Sequence, residues 1–184
     1  MAEILRPIFR ENFGTITLHS EMDCLEKYIF ILSHRFGNQI ILNVNLPPEL
    51  ENSVIPQLIL QPIVENCVSH GQHADGRVLS IQVSVSSSNG DLEISVIDDG
   101  KGIPNDKLAQ LHTSFAQNIE SEVSENEHLG LINVHKRIVL QYGKQYGVTV
   151  NSSPGSGTSV IIRLPLIECN ESISVSGEEN QNSR

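Results

Sequence analysis

Two stretches of strict alternation, Ile81-Gln82-Val83-Ser84-Val85-Ser86 and Leu92-Glu93-Ile94-Ser95-Val96, stand on either side of Asn89-Gly90. In an extended chain, successive side chains point to opposite faces. Each stretch therefore buries one face and wets the other. Asn-Gly suits the tight turn whose two central residues have positive φ, so the pair reads as an antiparallel hairpin. A sheet that is apolar on one face only must be covered there by another layer. The expected fold is an α/β (α+β) two-layer sandwich: a mixed, mostly antiparallel sheet with helices on one face.

The covering helices have their own period. Leu18, Met22, Leu25, Ile29, Leu32 and Phe36 recur at spacings of four and three, on one helical stripe. Thr17 is the expected N-cap, Glu21 sits near the first turn, and Gly37 is the expected stop. The stripe is shorter than the three to four heptads that mark a coiled coil, so it reads as a helix packed on its own domain. Gln39 to Asn45 reads as an edge strand ended by Pro47-Pro48. A second helix is expected from Pro56 to Gly71, with Pro62 kinking it or delaying its regular start. A third runs over 129–142, with Leu131, Val134, Ile138 and Tyr142 on one side and Gly143 as its stop. Val148-Thr149-Val150, a Pro154-Gly155-Ser156-Gly157 turn and Val160 to Leu164 form a closing hairpin. Residues 104–128 are polar and aperiodic, which suggests a mobile lid. Residues 168–184 read as a disordered acidic tail.

The formal net charge is −10 and there is no Trp. Such a chain does not suit nucleic-acid backbones or anionic membrane surfaces, although backbone donors and a metal ion can still hold phosphates. No apolar run is long enough to span a bilayer. Cys24, Cys67 and Cys169 show no metal-ligand spacing, which fits a reducing, cytoplasmic setting. Cys67 reads as a small buried hydrophobe.

Candidate chemistry clusters in four places. On the Pro56–Gly71 helix, Leu60, Ile63, Val64, Cys67 and Val68 share an apolar arc, and Glu65, Asn66, Ser69 and His70 share the polar one. Asn66 offers an amide oxygen to Mg²⁺, His70 reaches a phosphate oxygen, and Glu65 is placed to orient or deprotonate an attacking group. Asp98, at a strand end in Asp98-Asp99-Gly100-Lys101-Gly102-Ile103-Pro104, is placed to accept a hydrogen bond from an adenine amine. His128-Leu129-Gly130-Leu131 opens a helix whose N-terminal N–H groups favour anions. Thr158 closes Gly155-Ser156-Gly157-Thr158. The remaining histidines read as solvated or structural, and Arg137, two turns into that helix, as an ion-pair partner.

These four segments, in this order and spacing, resemble the N, G1 and G2 boxes and the closing Gly-x-Gly-Thr of the GHKL ATP-binding superfamily. The wording of Gln61-Pro62-Ile63-Val64-Glu65-Asn66 and Arg35-Phe36-Gly37 resembles sensor histidine kinases of the LytS/YesM type. The resemblance implies the Bergerat fold, ATP and Mg²⁺ as cofactors, and Asn66 as metal ligand. It places His70, Asp98, Gly100, Gly102, Ile103, His128, Gly130, Leu131 and Thr158 against the nucleotide, with Glu65, Asn66 and His70 as the catalytic set. It also implies a division of the chain: 1–16 as the end of a dimerisation or linker region, 17–167 as the catalytic domain, and 168–184 as tail. The implied partners are a histidine-containing dimerisation domain of the same kinase and a downstream response regulator. No histidine of the chain lies in a Pro-His-Phe context like that of the family's phosphoacceptor, so the acceptor is expected elsewhere. Ser69 and His128 stand where the family usually has Lys and Gly. Other GHKL enzymes, such as anti-sigma serine kinases or topoisomerase-like ATPases, are the alternative, as is a nucleotide-gated binding module without kinase activity.

Overall fold

The computed structural model describes residues 14–35, 40–71, 76–116 and 129–168. Five strands form one sheet: β2 (Ile40–Asn45), β4 (Leu79–Ser88), β5 (Asp91–Asp98), β6 (Gly147–Ser152) and β7 (Thr158–Pro165), in the order β2-β4-β5-β7-β6. All neighbouring pairs are antiparallel except β2 with β4. That parallel pair requires a crossover. It is supplied by the short strand β3 (Val54–Pro56) and helix α2 (Gln61–Gly71). A separate two-stranded ribbon joins β3 to β1 (Thr15–Thr17).

The hairpin expected from the alternation is present. Asn89 and Gly90 have φ of 54° and 81°, and β4 pairs with β5 from Ser88↔Asp91 to Ile81↔Asp98. Ile81, Val83, Leu92, Ile94 and Val96 have no exposed surface, while Gln82, Ser86, Glu93 and Ile97 face outward. The helices all cover the inner face. Helix α1 (Leu18–Arg35) lies on β2, α2 on β4 and β5, and α4 (Leu129–Tyr142) on β6 and β7.

Helix α1 packs on its own domain, with Leu18, Met22, Leu25 and Ile29 in the core. Thr17 caps it: the Ser20 N–H donates to Thr17 Oγ1 at 3.3 Å. Phe36 and Gly37 lie outside the described residues. So do 1–13, the lid portion 117–128, including His128, and the tail from 169. The boundary drawn between residues 16 and 17 falls inside β1. Glu168, assigned to the tail, forms a bridge with Ser53.

Two expectations are corrected. The second helix does not open at Pro56, which closes β3 instead. It opens at Gln61, so Pro62 stands in its first turn, where the missing N–H leaves no helical bond unmade. Residues 105–116 are not irregular: α3 (Asn105–Ala116) is a helix. Its Leu108, Leu111 and Phe115 follow a 3-4 spacing, a stripe too thin to stand out among polar neighbours. Phe115 stacks on the His135 ring at 4.6 Å, and His112 Nε2–H donates to Val150 O at 2.9 Å, which anchors α3 to α4 and β6.

Candidate functional site

A cleft opens between α2, the loop after β5, the start of α4 and the β6–β7 turn. Its floor is Asp98, only 5% exposed. The parity of β5 separates two adjacent carboxylates. Asp98 continues the inward series Leu92, Ile94, Val96 and enters the cleft. Asp99 turns the other way, and its Oδ1 accepts the Ser80 N–H at 2.8 Å. Asp98 Oδ1 accepts the Gly100 N–H at 2.9 Å. The Cys67 thiol and the Thr158 N–H lie beside the same carboxylate. Burial pushes the Asp98 carboxyl above its ordinary range. These three groups pull against that rise, and neighbouring Asp99 adds to it.

On α2 the apolar arc, with Ile63, Val64, Cys67 and Val68, faces the sheet. Asn66 and His70 look into the cleft. Asn66 Nδ2 donates to Pro62 O at 2.8 Å. Only the nitrogen end can donate, so this bond fixes the amide orientation and leaves Oδ1 as the outward atom. An oxygen donor of this kind suits a hard divalent cation. Among the described residues there is no cluster of three or more His, Cys, Asp or Glu able to hold a metal. A cation held at Asn66 would have to take its other ligands from a bound phosphate and water. Glu65 is not brought into the cleft. Its Oε1 accepts from Gln61 Nε2 at 2.8 Å.

Ile63, Ile103, Leu131 and Val160 give the cleft apolar walls suited to a flat ring. The glycines serve the protein's own packing as well. A Cβ on Gly100 would sit 2.5 Å from Gly71 Cα, so these two backbones touch where α2 ends. Gly102 has φ of 69°, and a Cβ there would meet Ser153 O at 2.1 Å. Gly130, at the start of α4, packs on Pro62 and the Asn66 amide, which brings the N–H end of a 14-residue helix beside Asn66. That end is suited to anions. Of the expected site residues, Asn66, His70, Asp98, Gly102, Ile103, Leu131 and Thr158 line one cleft. Gly100 and Gly130 support it from behind.

Two groups went unread in the sequence. The first is Ser152. Its hydroxyl accepts the Ile103 N–H at 2.8 Å and donates to Gly157 O at 2.8 Å. With its single proton so used, the 3.0 Å contact to Thr158 Oγ1 must be donated by Thr158. Thr158 is left with an acceptor oxygen at the cleft wall. The second is a clamp on the loop before α2. Buried Glu21, on α1, accepts the N–H groups of Leu58, Ile59 and Leu60 at 3.0, 2.9 and 3.1 Å. Arg137, on α4, donates to Gln57 O at 2.7 Å and Leu58 O at 3.5 Å. Between them they hold Leu58 at a φ of 55°, a strained setting for a branched side chain. Arg137 thus acts on the backbone that launches α2, and not only as an ion-pair partner. The Glu21 charge still bears on it: burial lowers the Arg137 pKa, and Glu21 raises it.

The family described as histidine kinase-, DNA gyrase B-, and HSP90-like ATPase matches residues 51–168, well over half of the chain. The chain belongs to this ATPase family. Over 166 residues it is 28% identical to the sensor protein kinase HptS of Staphylococcus aureus, in strains USA300 and COL alike. That match takes in 90% of this chain and 31% of the relative, so the chain spans about a third of the length of these curated relatives. Among solved structures, the mycobacterial sensor histidine kinase MprB superposes with a TM-score of 0.58 at 16% identity, covering 85% of this chain and 99% of that one. The catalytic domain of histidine kinase ThkA gives 0.60 at 14% identity, covering 84% and 96%. At such identities these likenesses speak for the fold. In this ATPase domain the five-stranded mixed sheet with helices on one face is the shared frame.

Proposed function

We propose that this chain is the ATP-binding catalytic domain of a two-component sensor histidine kinase of the LytS/YesM type. Mg²⁺-ATP lies in the cleft, and the γ-phosphoryl passes to a histidine on a dimerisation domain of the same kinase, from which a response regulator takes it. The domain works on the cytoplasmic side of a longer sensor. Among the described residues no helix is long and apolar enough to cross a membrane. The single observation that carries the reading is Asp98. It is a buried carboxylate at the floor of an apolar-walled cleft, with Asn66 Oδ1 and the start of α4 at the cleft's other end. Bound Mg²⁺ supplies charge neutralisation for the phosphates. The chain's own residues supply positioning: Asp98 accepts from the adenine amine, Asn66 offers its oxygen to the ion, and His70 and the N–H groups of α4 meet the phosphates.

Calorimetry with ATP, ADP and GTP, with and without Mg²⁺, tests this. ATP should bind far more tightly than GTP. Asp98→Asn should weaken ATP by about 1.5–3 kcal/mol, the range for a hydrogen bond to a charged group. Unchanged ATP affinity in that variant would sink the assignment. A pH titration adds a second check. Accepting from the adenine amine needs an ionised Asp98, and burial raises its pKa. ATP affinity should therefore fall on acidification at a pH above that of an exposed aspartate, about 3.9. It should stay flat above that range, until other groups titrate.

A nucleotide-gated binding module without transfer is the second reading. The observation in its favour is Glu65, whose carboxylate accepts from Gln61 and does not line the cleft. Phosphohistidine formation on a supplied dimerisation domain separates the two.

A further inference from the structure

The in-register pairs Asp98↔Thr158 on β5–β7 and Ser152↔Thr158 on β6–β7 set three polar residues in one row across adjacent strands. Residues directly opposite one another share a face of the sheet, with Cβ atoms about 4.5–5.5 Å apart. Asp98 and Thr158 line the cleft, and Ser152 follows on the edge strand β6. The Ile103 N–H can only donate and Gly157 O can only accept, so between them they fix both roles of the Ser152 hydroxyl. The 3.0 Å contact along the row is then a bond from Thr158 to Ser152. We propose that Ser152 is a specificity-determining positioning residue: by taking the Thr158 proton it leaves two acceptors, the Asp98 carboxylate and Thr158 Oγ1, side by side at the end of the cleft. This rests on the reading of the cleft as an adenine-nucleotide site.

Two adjacent acceptors call for two donors. The 6-amino group of adenine carries two N–H bonds. The 6-oxo group of hypoxanthine or guanine carries none, and its oxygen would face Thr158 Oγ1, acceptor against acceptor. The carboxylate alone discriminates less, because it can also accept the ring N1–H of a 6-oxo purine. A Thr158 hydroxyl released from Ser152 can turn its proton into the cleft and donate to that oxygen. The discrimination at this position therefore depends on where the Thr158 proton goes, and Ser152 decides that.

The test is calorimetry of the full chain with the Mg²⁺ complexes of ATP and inosine triphosphate, which differ only along this edge of the base. It compares the wild type, Ser152→Ala, Thr158→Val and the double variant. Thermal melting confirms that each is folded. Ser152→Cys keeps the volume with a far weaker hydrogen-bonding group, so it serves if the alanine variant does not fold. The wild type should prefer ATP, and the ratio of the two affinities should fall roughly 3- to 10-fold in Ser152→Ala, the scale of one hydrogen bond. Thr158→Val should lower the ratio too. Adding Ser152→Ala to it should change the ratio no further, because Ser152 acts through Thr158. If Ser152→Ala weakens both nucleotides in the same proportion, Ser152 only braces the loops at Ile103 and Gly157, and the proposal is overturned. An equal further fall in the Thr158→Val background overturns it as well. A wild type that takes both nucleotides equally overturns it while leaving ATP binding in place. A wild type that binds neither removes the reading of the cleft itself.

Discussion

Replacing Glu21 by alanine should lower the unfolding free energy by about 3–5 kcal/mol, the range for removing one side of a buried, charged hydrogen-bonding arrangement. Three N–H groups, those of Leu58, Ile59 and Leu60, lose their acceptor. Leu60 and Ile59 have no exposed surface, so water cannot replace it. Arg137 loses the charge that raises its pKa against burial. For a domain of this size the midpoint of thermal unfolding should drop on the order of 10–20 °C. Glu21→Gln should fall between the two, because its amide keeps an acceptor oxygen but presents N–H groups to donors. Urea unfolding followed by circular dichroism measures the loss. A Glu21→Ala protein within about 0.5 kcal/mol of wild type, the ordinary scatter of surface changes, would show that the clamp does not hold the loop. The same clamp sets where α2 begins and hence where Asn66 and His70 stand. A partly folded variant should therefore also bind nucleotide poorly.

The second large effect concerns transfer. With radiolabelled ATP the isolated chain should acquire no acid-labile, base-stable phosphate. Phosphoryl transfer needs an acceptor nitrogen in line with the γ-phosphate. His112 and His135 are tied to Val150 and Val148 in the α3–α4–β6 packing. His19 lies on α1 near Asp23. On the proposed reading His70 would meet a phosphate from the side. Adding a dimerisation segment with its own histidine should restore labelling of that segment. Asn66→Ala, which removes the oxygen proposed to hold the metal, should then cut the rate by about 100-fold or more. Stoichiometric labelling of the isolated chain would mean that a histidine in the cleft has been misread.

Much of the site was readable along the chain because the relevant order is local. The alternation of β5 carries Asp98 inward with Val96, and the 3.6-residue period of α2 puts Asn66 and His70 on the same side as Ile63, at the edge of the apolar arc. Glycines at 100 and 102 mark close backbone approach whatever they approach. Glu65 lies about 100° round the helix from Asn66, at 3.6 residues per turn, and it is not among the residues that line the cleft. Cys67 looked like an ordinary small apolar residue because its arc is apolar. In the fold it is buried, as that arc implies.

By itself the sequence determined the five strands of the main sheet, most helices and the single buried face of the sheet. Each of these follows from side-chain direction relative to near neighbours in the chain. Tertiary structure decided the parallel pairing of β2 with β4, the β1–β3 ribbon, the helix at 105–116 and the clamp. Glu21 meets its donors 37 to 39 residues away, and Arg137 its carbonyls 79 and 80 residues away. Contacts at such separations leave no period in the sequence. They arise only when the packed sheet and helices bring a buried charge to backbone groups that have no other partner.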